Sequence, residues 1–293
     1  MSVQPDDFST RSEPQSGARA DEITEACPSC GTPASEIRAG GSRRIHLCDA
    51  CGLGFDPEAC RREPNPDEAG YYAAAGYDGW MRGSSRRRRD ARFRLAWLGS
   101  YAPAGVRLLE VGCGHGHFLD EARTAGYRSA GVELAPALAE RARRLAGVPV
   151  VQGRFEASDL GAAVAEVVCC WRVIEYASSP APFLARARDV LAPGGLLALE
   201  TPNAQLRRPA GIIGARAEGP VDLPRLYFNP GSLRIALKAA GFDVIACDTV
   251  FEDAFSKRNS DGSERTGSLR RFGRTNLSDP VRGEYVRAIA RRA

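Results

Sequence analysis

The chain has 293 residues, 43% of them hydrophobic, and its 40 basic and 36 acidic residues give a formal net charge of +4. This length can bury a full core, and the near balance of charge gives no whole-chain reason for binding nucleic acid or a membrane. No apolar run approaches the roughly 18 residues that a membrane span needs. The polar, acidic start lacks the apolar segment of a secretory signal, so we expect a cytoplasmic protein.

Composition shifts along the chain predict five segments. In chain order they are a disordered tail (1–23), a cysteine-bearing module (24–60), a helical linker or lid (61–104), the main domain (105–251, with a substrate cap inserted at 202–229) and a basic C-terminal extension (252–293). The tail lacks the apolar residues needed to offset the entropy of ordering. Within the extension, EYVRAIARR predicts a last helix.

Two CxxC pairs, Cys27–Cys30 and Cys48–Cys51, lie about 17 residues apart, which is the spacing of a four-thiolate zinc ribbon. Gly31 and Gly52 directly follow the pairs, and glycine allows the positive φ that turns backbone N–H groups toward the thiolates. Four protein ligands would close the site, so the zinc ion would be structural. Free thiols are the alternative. We assign no role to Cys60.

Basic residues cluster at two places. Arg43, Arg44 and His46 lie between the cysteine pairs, and four arginines follow one another at positions 86–89. Either cluster could meet phosphate, but such runs are more often solvated surface, so we do not expect a nucleic-acid partner.

A helix is predicted after this arginine run, because Phe93, Ala96, Trp97 and Tyr101 share one helical face. Three tyrosines upstream would form a lid over a ligand or pack in the core: Tyr71, Tyr72 and Tyr77. From Val106 onward, apolar strands alternate with amphipathic helices, which indicates βαβ units, a parallel sheet and an α/β fold.

A glycine-rich loop, Glu110-Val-Gly-Cys-Gly-His-Gly116, follows the first strand, and Glu133 ends the next one about 20 residues on. A carboxylate there can accept hydrogen bonds from ribose hydroxyls, so the pair predicts an adenosine site. A dinucleotide fingerprint would read G-x-G-x-x-G. Here Glu110 would repel pyrophosphate but could hold the cationic amino end of S-adenosylmethionine (SAM), which favours SAM.

Several motifs between residues 25 and 250, among them LLEVGCGHGHFL, GVEL and LAPGGLLALETPN, resemble class I SAM-dependent methyltransferases. The cysteine pairs resemble the zinc-ribbon-bearing members, several of which act in natural-product or deoxysugar pathways. The resemblance implies a Rossmann-like seven-stranded, mostly parallel sheet of order 3-2-1-4-5-7-6. Phe155 and Glu156 stand where the family usually has an acidic residue near the adenine. The predicted cofactor-binding residues are Glu110, Gly112, Gly114, Gly116, Glu133, Leu134, Phe155, Glu156 and Trp171.

After the fourth strand the family often reads Asp-x-x-Glu-His, whereas this chain reads Trp171-Arg-Val-Ile-Glu-Tyr176. A tyrosine with its ordinary pKa near 10 is a poor base, so the acceptor would need little deprotonation or another base such as Glu175. Arg172 would bind a carboxylate or phosphate of the acceptor, or pair with a surface acid. The segment holding Arg225 and Tyr227 resembles the part of the family that covers the acceptor.

The sequence therefore predicts a SAM-dependent methyltransferase that acts on a small-molecule acceptor in secondary metabolism. The predicted catalytic residues are Arg172, Glu175 and Tyr176, and the predicted substrate residues are Arg172, Tyr176, Arg225 and Tyr227. Two alternatives stay open: another SAM reaction, such as cyclisation or aminocarboxypropyl transfer, and a zinc-ribbon protein that binds or modifies nucleic acid. The acceptor atom (O, N or C) and the oligomeric state are not predicted.

Overall fold

The computed structural model describes residues 25–38, 44–63, 84–162, 164–205, 224–250 and 283–293. The N-terminal module contains β1 (Glu25–Ala26), β2 (Pro33–Arg38), β3 (Arg44–Leu47), β4 (Gly54–Phe55) and α1 (Pro57–Arg61). The main domain contains α2 (Ser84–Leu98), β5 (Arg107–Val111), α3 (His117–Thr124), β6 (Arg128–Glu133), α4 (Pro136–Ala146), β7 (Val150–Gln152), β8 (Ala165–Trp171), α5 (Pro180–Val190), β9 (Leu191–Pro202), β10 (Leu226–Tyr227), α6 (Pro230–Ala239), β11 (Phe242–Val250) and β12 (Tyr285–Arg292).

Seven strands form the central sheet, in the order β11-β12-β9-β8-β5-β6-β7. Strands β7, β6, β5, β8 and β9 are parallel to one another, while β12 runs antiparallel between β9 and β11. Counted along the chain from β5, this is the predicted order 3-2-1-4-5-7-6 with an antiparallel last strand. The predicted fold class is confirmed.

The last strand, β12, was predicted as a helix, and that prediction is wrong. Its residues pair with both neighbours, for example Ile289 with Ala198 of β9 and with Ala246 of β11. Strands buried on both faces carry near-continuous apolar runs rather than an alternating pattern, so periodicity does not separate them from buried helices. Residues 285–292 thus belong to the central sheet, although the sequence placed them in a C-terminal extension.

Helix α2 exists as predicted, but its buried face differs from the predicted one. Ala91, Leu95 and Leu98 are buried against the sheet, whereas Ala96 is exposed and Tyr101, beyond the helix end, is 37% exposed. Apolar residues are scattered around this helix. Residues three, four or seven positions apart therefore define more than one possible apolar face, and the sequence alone does not select the buried one. The buried face combines one small and two large apolar side chains.

The N-terminal module joins the main domain through β10. Its sheet has the order β1-β2-β3-β4-β10, and Leu226 and Tyr227 pair with Phe55 and Gly54. A single apolar cluster contains residues of both parts, among them Cys48, Leu53, Phe55, Phe228 and Leu233. The module therefore shares its core with the main domain.

Some predicted features lie outside the described residues: the tail at 1–23, Tyr71, Tyr72, Tyr77, Arg43 and residues 206–223 of the substrate cap. Within the described part of the chain, no helix is long and apolar enough to cross a membrane.

Candidate SAM and acceptor site

The three predicted loop glycines, Gly112, Gly114 and Gly116, all have positive φ, at 67°, 54° and 82°. A Cβ atom on Gly112 would lie 2.4 Å from Val173 Cγ2, and one on Gly116 would lie 2.9 Å from Ala142 Cα in α4. A Cβ on Gly114 would meet nothing within 4 Å. Gly112 and Gly116 therefore allow close packing of the protein on itself, whereas Gly114 leaves room for a ligand beside the backbone.

Glu133 lies at the end of β6, directly beside Gly114. Its carboxylate accepts hydrogen bonds from Gly114 N (2.8 Å) and Ala135 N (3.0 Å). Burial raises the pKa of Glu133, and these backbone hydrogen bonds oppose the rise. The adjacent Leu134 is half-buried, and its carbonyl accepts from Gln152 Nε2 (3.0 Å). The carboxylate is thus held at the carboxyl ends of β5 and β6, as predicted.

Glu110 is 4% exposed, and its Oε2 atom has no hydrogen-bond partner among the described residues. Burial raises its pKa well above the usual range, Arg94 opposes this and Glu133 adds to it. A cation bound nearby would stabilise the ionised carboxylate. The sulfonium and ammonium groups of SAM supply such charge, so the buried Glu110 carboxylate fits the predicted ligand.

A buried ion network that no sequence motif predicts lies beside this site. Glu200 of β9 accepts hydrogen bonds from Arg94 (2.5 Å) and Arg287 (2.5 and 2.9 Å). Although burial opposes it, the two arginines hold the pKa of Glu200 below its usual range. The Arg94 guanidinium also lies 5.1 Å above the Trp171 ring. No local motif could reveal this network, because its members are 87 and 106 residues from Glu200.

The predicted aromatic cofactor residues are both buried. Trp171 packs against Phe118, with ring centroids 5.3 Å apart, and Phe155 packs against Phe183 at 5.2 Å. These two pairs belong to different apolar clusters. Glu156 is half-buried, with its carboxylate 3.6 Å from Arg154 Nε. Of the two adenine candidates, Glu156 therefore has the more accessible side chain.

Arg172, directly after β8, is the one non-glycine residue with positive φ (62°) in the described part of the chain. Its N–H donates to the Glu200 carbonyl (2.7 Å). Its guanidinium donates to Tyr285 Oη at 3.4 Å and lies 5.4 Å above that ring. Left-handed backbone costs an L-residue roughly 1–2 kcal/mol, and such strain clusters at functional sites. Tyr285 was missed, because it begins the strand that was predicted as a helix.

The turn Ile174–Tyr176 contains the other two predicted catalytic residues. Glu175 is 2% exposed, and Thr201 Oγ1 donates to its carboxylate (3.0 Å). Burial raises the pKa of Glu175 to about 7, against the opposing effect of its hydrogen bonds. Tyr176 is half-buried, and its N–H donates to the Val173 carbonyl (2.9 Å).

Arg225 and Tyr227 lie between the module and this turn. Arg225 is 2% exposed, and its Nη1 atom donates to the Arg62 carbonyl (2.6 Å) and to Ser178 Oγ (3.1 Å). Tyr227 is buried against the module, where a Cβ on Gly54 would lie 3.2 Å from the Tyr227 Cβ. In this conformation both side chains connect two parts of the protein.

A family model described as a methyltransferase domain matches residues 83–246, more than half of the chain. The chain belongs to this family of SAM-dependent methyltransferases. The ubiquinone biosynthesis O-methyltransferase of Burkholderia thailandensis is 27% identical over 179 residues, covering 56% of this chain and 77% of that relative. The enzyme of that name from Cereibacter sphaeroides is 30% identical over 153 residues, covering 48% of this chain and 62% of that relative.

Solved methyltransferase structures have the same fold. A SAM-dependent methyltransferase from Thermotoga maritima matches with a TM-score of 0.54 at 20% identity, covering 74% of this chain and 96% of that one. One from Mesorhizobium loti matches with a TM-score of 0.51 at 17% identity, covering 68% and 98%. These structures confirm the fold, and the match to the methyltransferase family model confirms the predicted enzyme class.

The four cysteines of the methyltransferase's N-terminal module lie close together, with all four Sγ atoms within 4.8 Å of one another. Cys27 and Cys51 are 3.6 Å apart, and Cys30 and Cys48 are 3.5 Å apart. Disulfide sulfurs would be about 2.05 Å apart, whereas tetrahedral Zn–S bonds of about 2.3 Å place sulfurs about 3.8 Å apart. Gly31 and Gly52 have φ of 74° and 73°. The donor set thus fits a zinc ion.

Much of the positive charge singled out in the sequence is paired or buried in the methyltransferase. Arg88 contacts Asp120 (2.7 Å) and Glu121 (3.0 Å). His46 is buried in the module, with Nδ1 3.4 Å from the Ala34 carbonyl. Arg88 thus lies on a helix surface as expected, whereas the burial of His46 in β3 differs from the predicted solvated surface. His117 stacks on His115 at 6.1 Å, and burial lowers its pKa.

Proposed function

We propose that this methyltransferase transfers the methyl group of SAM to an oxygen atom of a small-molecule acceptor in secondary metabolism. The observation that most directly supports SAM binding is the open space beside Gly114, next to the buried carboxylate of Glu133. The names of the O-methyltransferase relatives support an oxygen acceptor. The resemblance to zinc-bearing members of natural-product pathways supports the metabolic role.

SAM supplies an electrophilic methyl group on a sulfonium, and the residues at the ends of β5 and β6 would hold it. Glu133 would accept hydrogen bonds from ribose hydroxyls, and Glu110 would face the positive charge. Gly114 would allow the close approach, while Gly112 and Gly116 would hold the loop's shape. Leu134, Phe155, Glu156 and Trp171 remain the proposed surroundings of the nucleoside.

The acceptor would lie on the other half of the same sheet edge, at the ends of β8 and β9 and the start of β12. Trp171 pairs with Glu200 and Tyr285 pairs with Pro202, so Arg172 and Tyr285 meet at this edge. We propose that the Arg172 guanidinium binds an anionic group of the acceptor, and that Tyr176 lines the same space. Arg225 and Tyr227 would support this wall from the module side.

Methyl transfer needs mainly the alignment of the nucleophile with the methyl group. A carboxyl with a pKa of about 7 suits a general base at neutral pH, but Glu175 is only 2% exposed and is hydrogen-bonded to Thr201, which is itself fully buried. We therefore propose that Glu175 is a positioning residue. Its hydrogen bond with the Thr201 hydroxyl would hold the residues that line the acceptor pocket in place. Cys27, Cys30, Cys48 and Cys51 would hold a structural zinc ion.

Product analysis tests this proposal. The full chain, loaded with zinc, is incubated with SAM and a panel of hydroxylated and carboxylated aromatic and sugar acceptors. Formation of S-adenosylhomocysteine together with an O-methylated acceptor would support it. Methylthioadenosine would instead indicate the alternative SAM chemistry, for which the altered residues after β8 are the reason. Methyl incorporation only into an included RNA or DNA would contradict a small-molecule acceptor. Glu133→Gln is the matched control, because it should bind SAM more weakly and form less product.

A further inference from the structure

The two cysteine turns of the module are each hydrogen-bonded to the N-cap residue of a main-domain helix. Asn229, the N-cap of α6, donates from Nδ2 to the carbonyl of Gly52, next to Cys51 (2.8 Å). Ser179, the N-cap of α5, donates from Oγ to the carbonyl of Pro28, next to Cys27 (2.8 Å). Each turn that presents thiolates therefore also fixes the start of a helix.

A backbone path reaches further, into the turn that holds Glu175 and Tyr176. The Asp56 N–H donates to the Arg225 carbonyl (2.9 Å), and the Arg225 N–H donates to the Glu175 carbonyl (2.8 Å). The antiparallel pairing of β4 with β10 adds further backbone contacts between the module and the segment that follows Arg225. Two segments are thus attached to the module: residues 174–179, after β8, and residues 225–229, before α6.

The SAM loop is held by bonds of its own. Gly112 N donates to the Val132 carbonyl (2.8 Å), Gly114 N donates to Glu133, and Gly116 packs on Ala142 in α4. These contacts connect β5, β6 and α4, on the side of the sheet edge away from β10. Val173, just before the 174–179 segment, also packs on Gly112, but the hydrogen bonds named here run from the loop to β6. Changes in the module should therefore affect the acceptor side more than the SAM loop.

We propose that the cysteine module is a positioning element for the acceptor wall, and that metal binding in it controls acceptor binding while SAM binding stays unchanged. The proposal rests on the acceptor side assigned above. In small metal modules the free energy of metal binding is also free energy of folding. Without its ion, the module would let the Pro28 and Gly52 carbonyls move, and the two segments would lose their fixed ends.

Hydrogen exchange on the full, zinc-loaded chain tests the proposal with a conservative double variant, Ser179→Ala with Asn229→Asp. Ser179 makes no side-chain capping bond, so its replacement removes only the bond to Pro28. Aspartate at 229 keeps the acceptor for Ser232 N but loses the donor to Gly52. Arg188→Met is the control, because it removes a similar bond between α5 and the Ala240 carbonyl, at the far end of α6.

We expect amide exchange in 174–177 and 225–229 to rise about tenfold in the double variant, the effect of losing two hydrogen bonds. Zinc removal by a chelator should cause at least this change. Exchange at Gly112, Gly114 and Ala135 and the Kd for SAM should stay within about twofold of the parent. Unchanged exchange in both segments would overturn the proposal, as would an equal rise at the SAM loop or the same pattern in Arg188→Met.

This result is separable from the proposed function, because the exchange readout needs neither SAM nor an acceptor. Failure of SAM to bind the parent chain would overturn the proposed function and leave the exchange pattern standing. Once an acceptor is identified, the double variant should raise its KM about tenfold at an unchanged KM for SAM. A fall in kcat alone would contradict a positioning role.

Discussion

Val173 packs so closely on Gly112 that a Cβ atom there would lie 2.4 Å from Val173 Cγ2. The turn after β8, which we assign to the acceptor, thus rests directly on the SAM loop. Arg172, directly before Val173 at the end of β8, has a left-handed backbone conformation. The two halves of the site are joined at this point.

Alanine at each loop glycine should have a different effect. Gly112→Ala and Gly116→Ala should prevent stable folding, since the new methyl groups would meet Val173 and the α4 backbone. Gly114→Ala has open space and should fold with a loss of about 1–2 kcal/mol from its positive φ, while its affinity for SAM falls at least about tenfold. Thermal unfolding and calorimetry measure both; parent-like SAM affinity in Gly114→Ala would contradict the assigned ligand position.

Replacing Arg172 by glycine separates strain from function. Relief of roughly 1–2 kcal/mol of strain should offset the roughly 0.5–1 kcal/mol entropy cost of glycine, so stability should stay within about 1 kcal/mol of the parent. The acceptor KM should rise at least about tenfold through loss of the guanidinium. Arg172→Lys keeps the charge without the bidentate geometry, so its acceptor KM should lie between those of the parent and Arg172→Gly. An unchanged KM in both variants would exclude anion binding by Arg172.

Glu175 should make stability fall as pH rises. Its pKa in the folded protein is about 7, above the ordinary 4.5, so the folded state holds this proton more tightly than the unfolded chain. The contribution of Glu175 to the free energy of unfolding is complete below about pH 4.5 and is lost as the pH rises through about 7, an effect of about 3 kcal/mol. Glu175→Gln should remove this part of the slope. The check is the difference between urea-unfolding curves of parent and variant at pH 5 and pH 8; a constant difference would contradict the prediction.

Glu200→Gln should be strongly destabilising. It would leave Arg94 and Arg287 without their shared carboxylate in a buried place, and breaking such networks costs about 3–5 kcal/mol. Because its pKa is lowered in the folded state, Glu200 contributes stability above the ordinary carboxyl pKa and loses it as pH falls. Urea unfolding at pH 7 measures the loss. As a comparison, Glu140→Gln on the surface of α4 should have little effect, and equal losses in both variants would be the contrary result.

The arrangement of the proposed SAM half of the site could be predicted because its signals are local. The glycines and Glu133 stand at the ends of successive strands, and a parallel βαβ unit must bring those ends together. The cysteine pairs carry their own spacing rule. The structure brings each of these sets together as expected.

The acceptor half could be predicted only in part, because its contacts come from distant segments. Tyr285 and Arg287 belong to a strand whose doubly buried pattern imitates a helix. Arg225 stands in a segment that resembles an acceptor cover, yet its partners are the Arg62 carbonyl and Ser178. Pairing of β10 with the cysteine module leaves no periodic signal, because each strand has two residues.

Calorimetry of SAM binding to the full, zinc-loaded chain tests the central claim most directly. The account predicts saturable binding with one site per chain, weakened about 10- to 100-fold in Glu133→Gln, where a charged hydrogen-bond acceptor is lost. Absence of binding heat for both SAM and S-adenosylhomocysteine on folded protein would contradict the account, as would equal affinity of parent and Glu133→Gln.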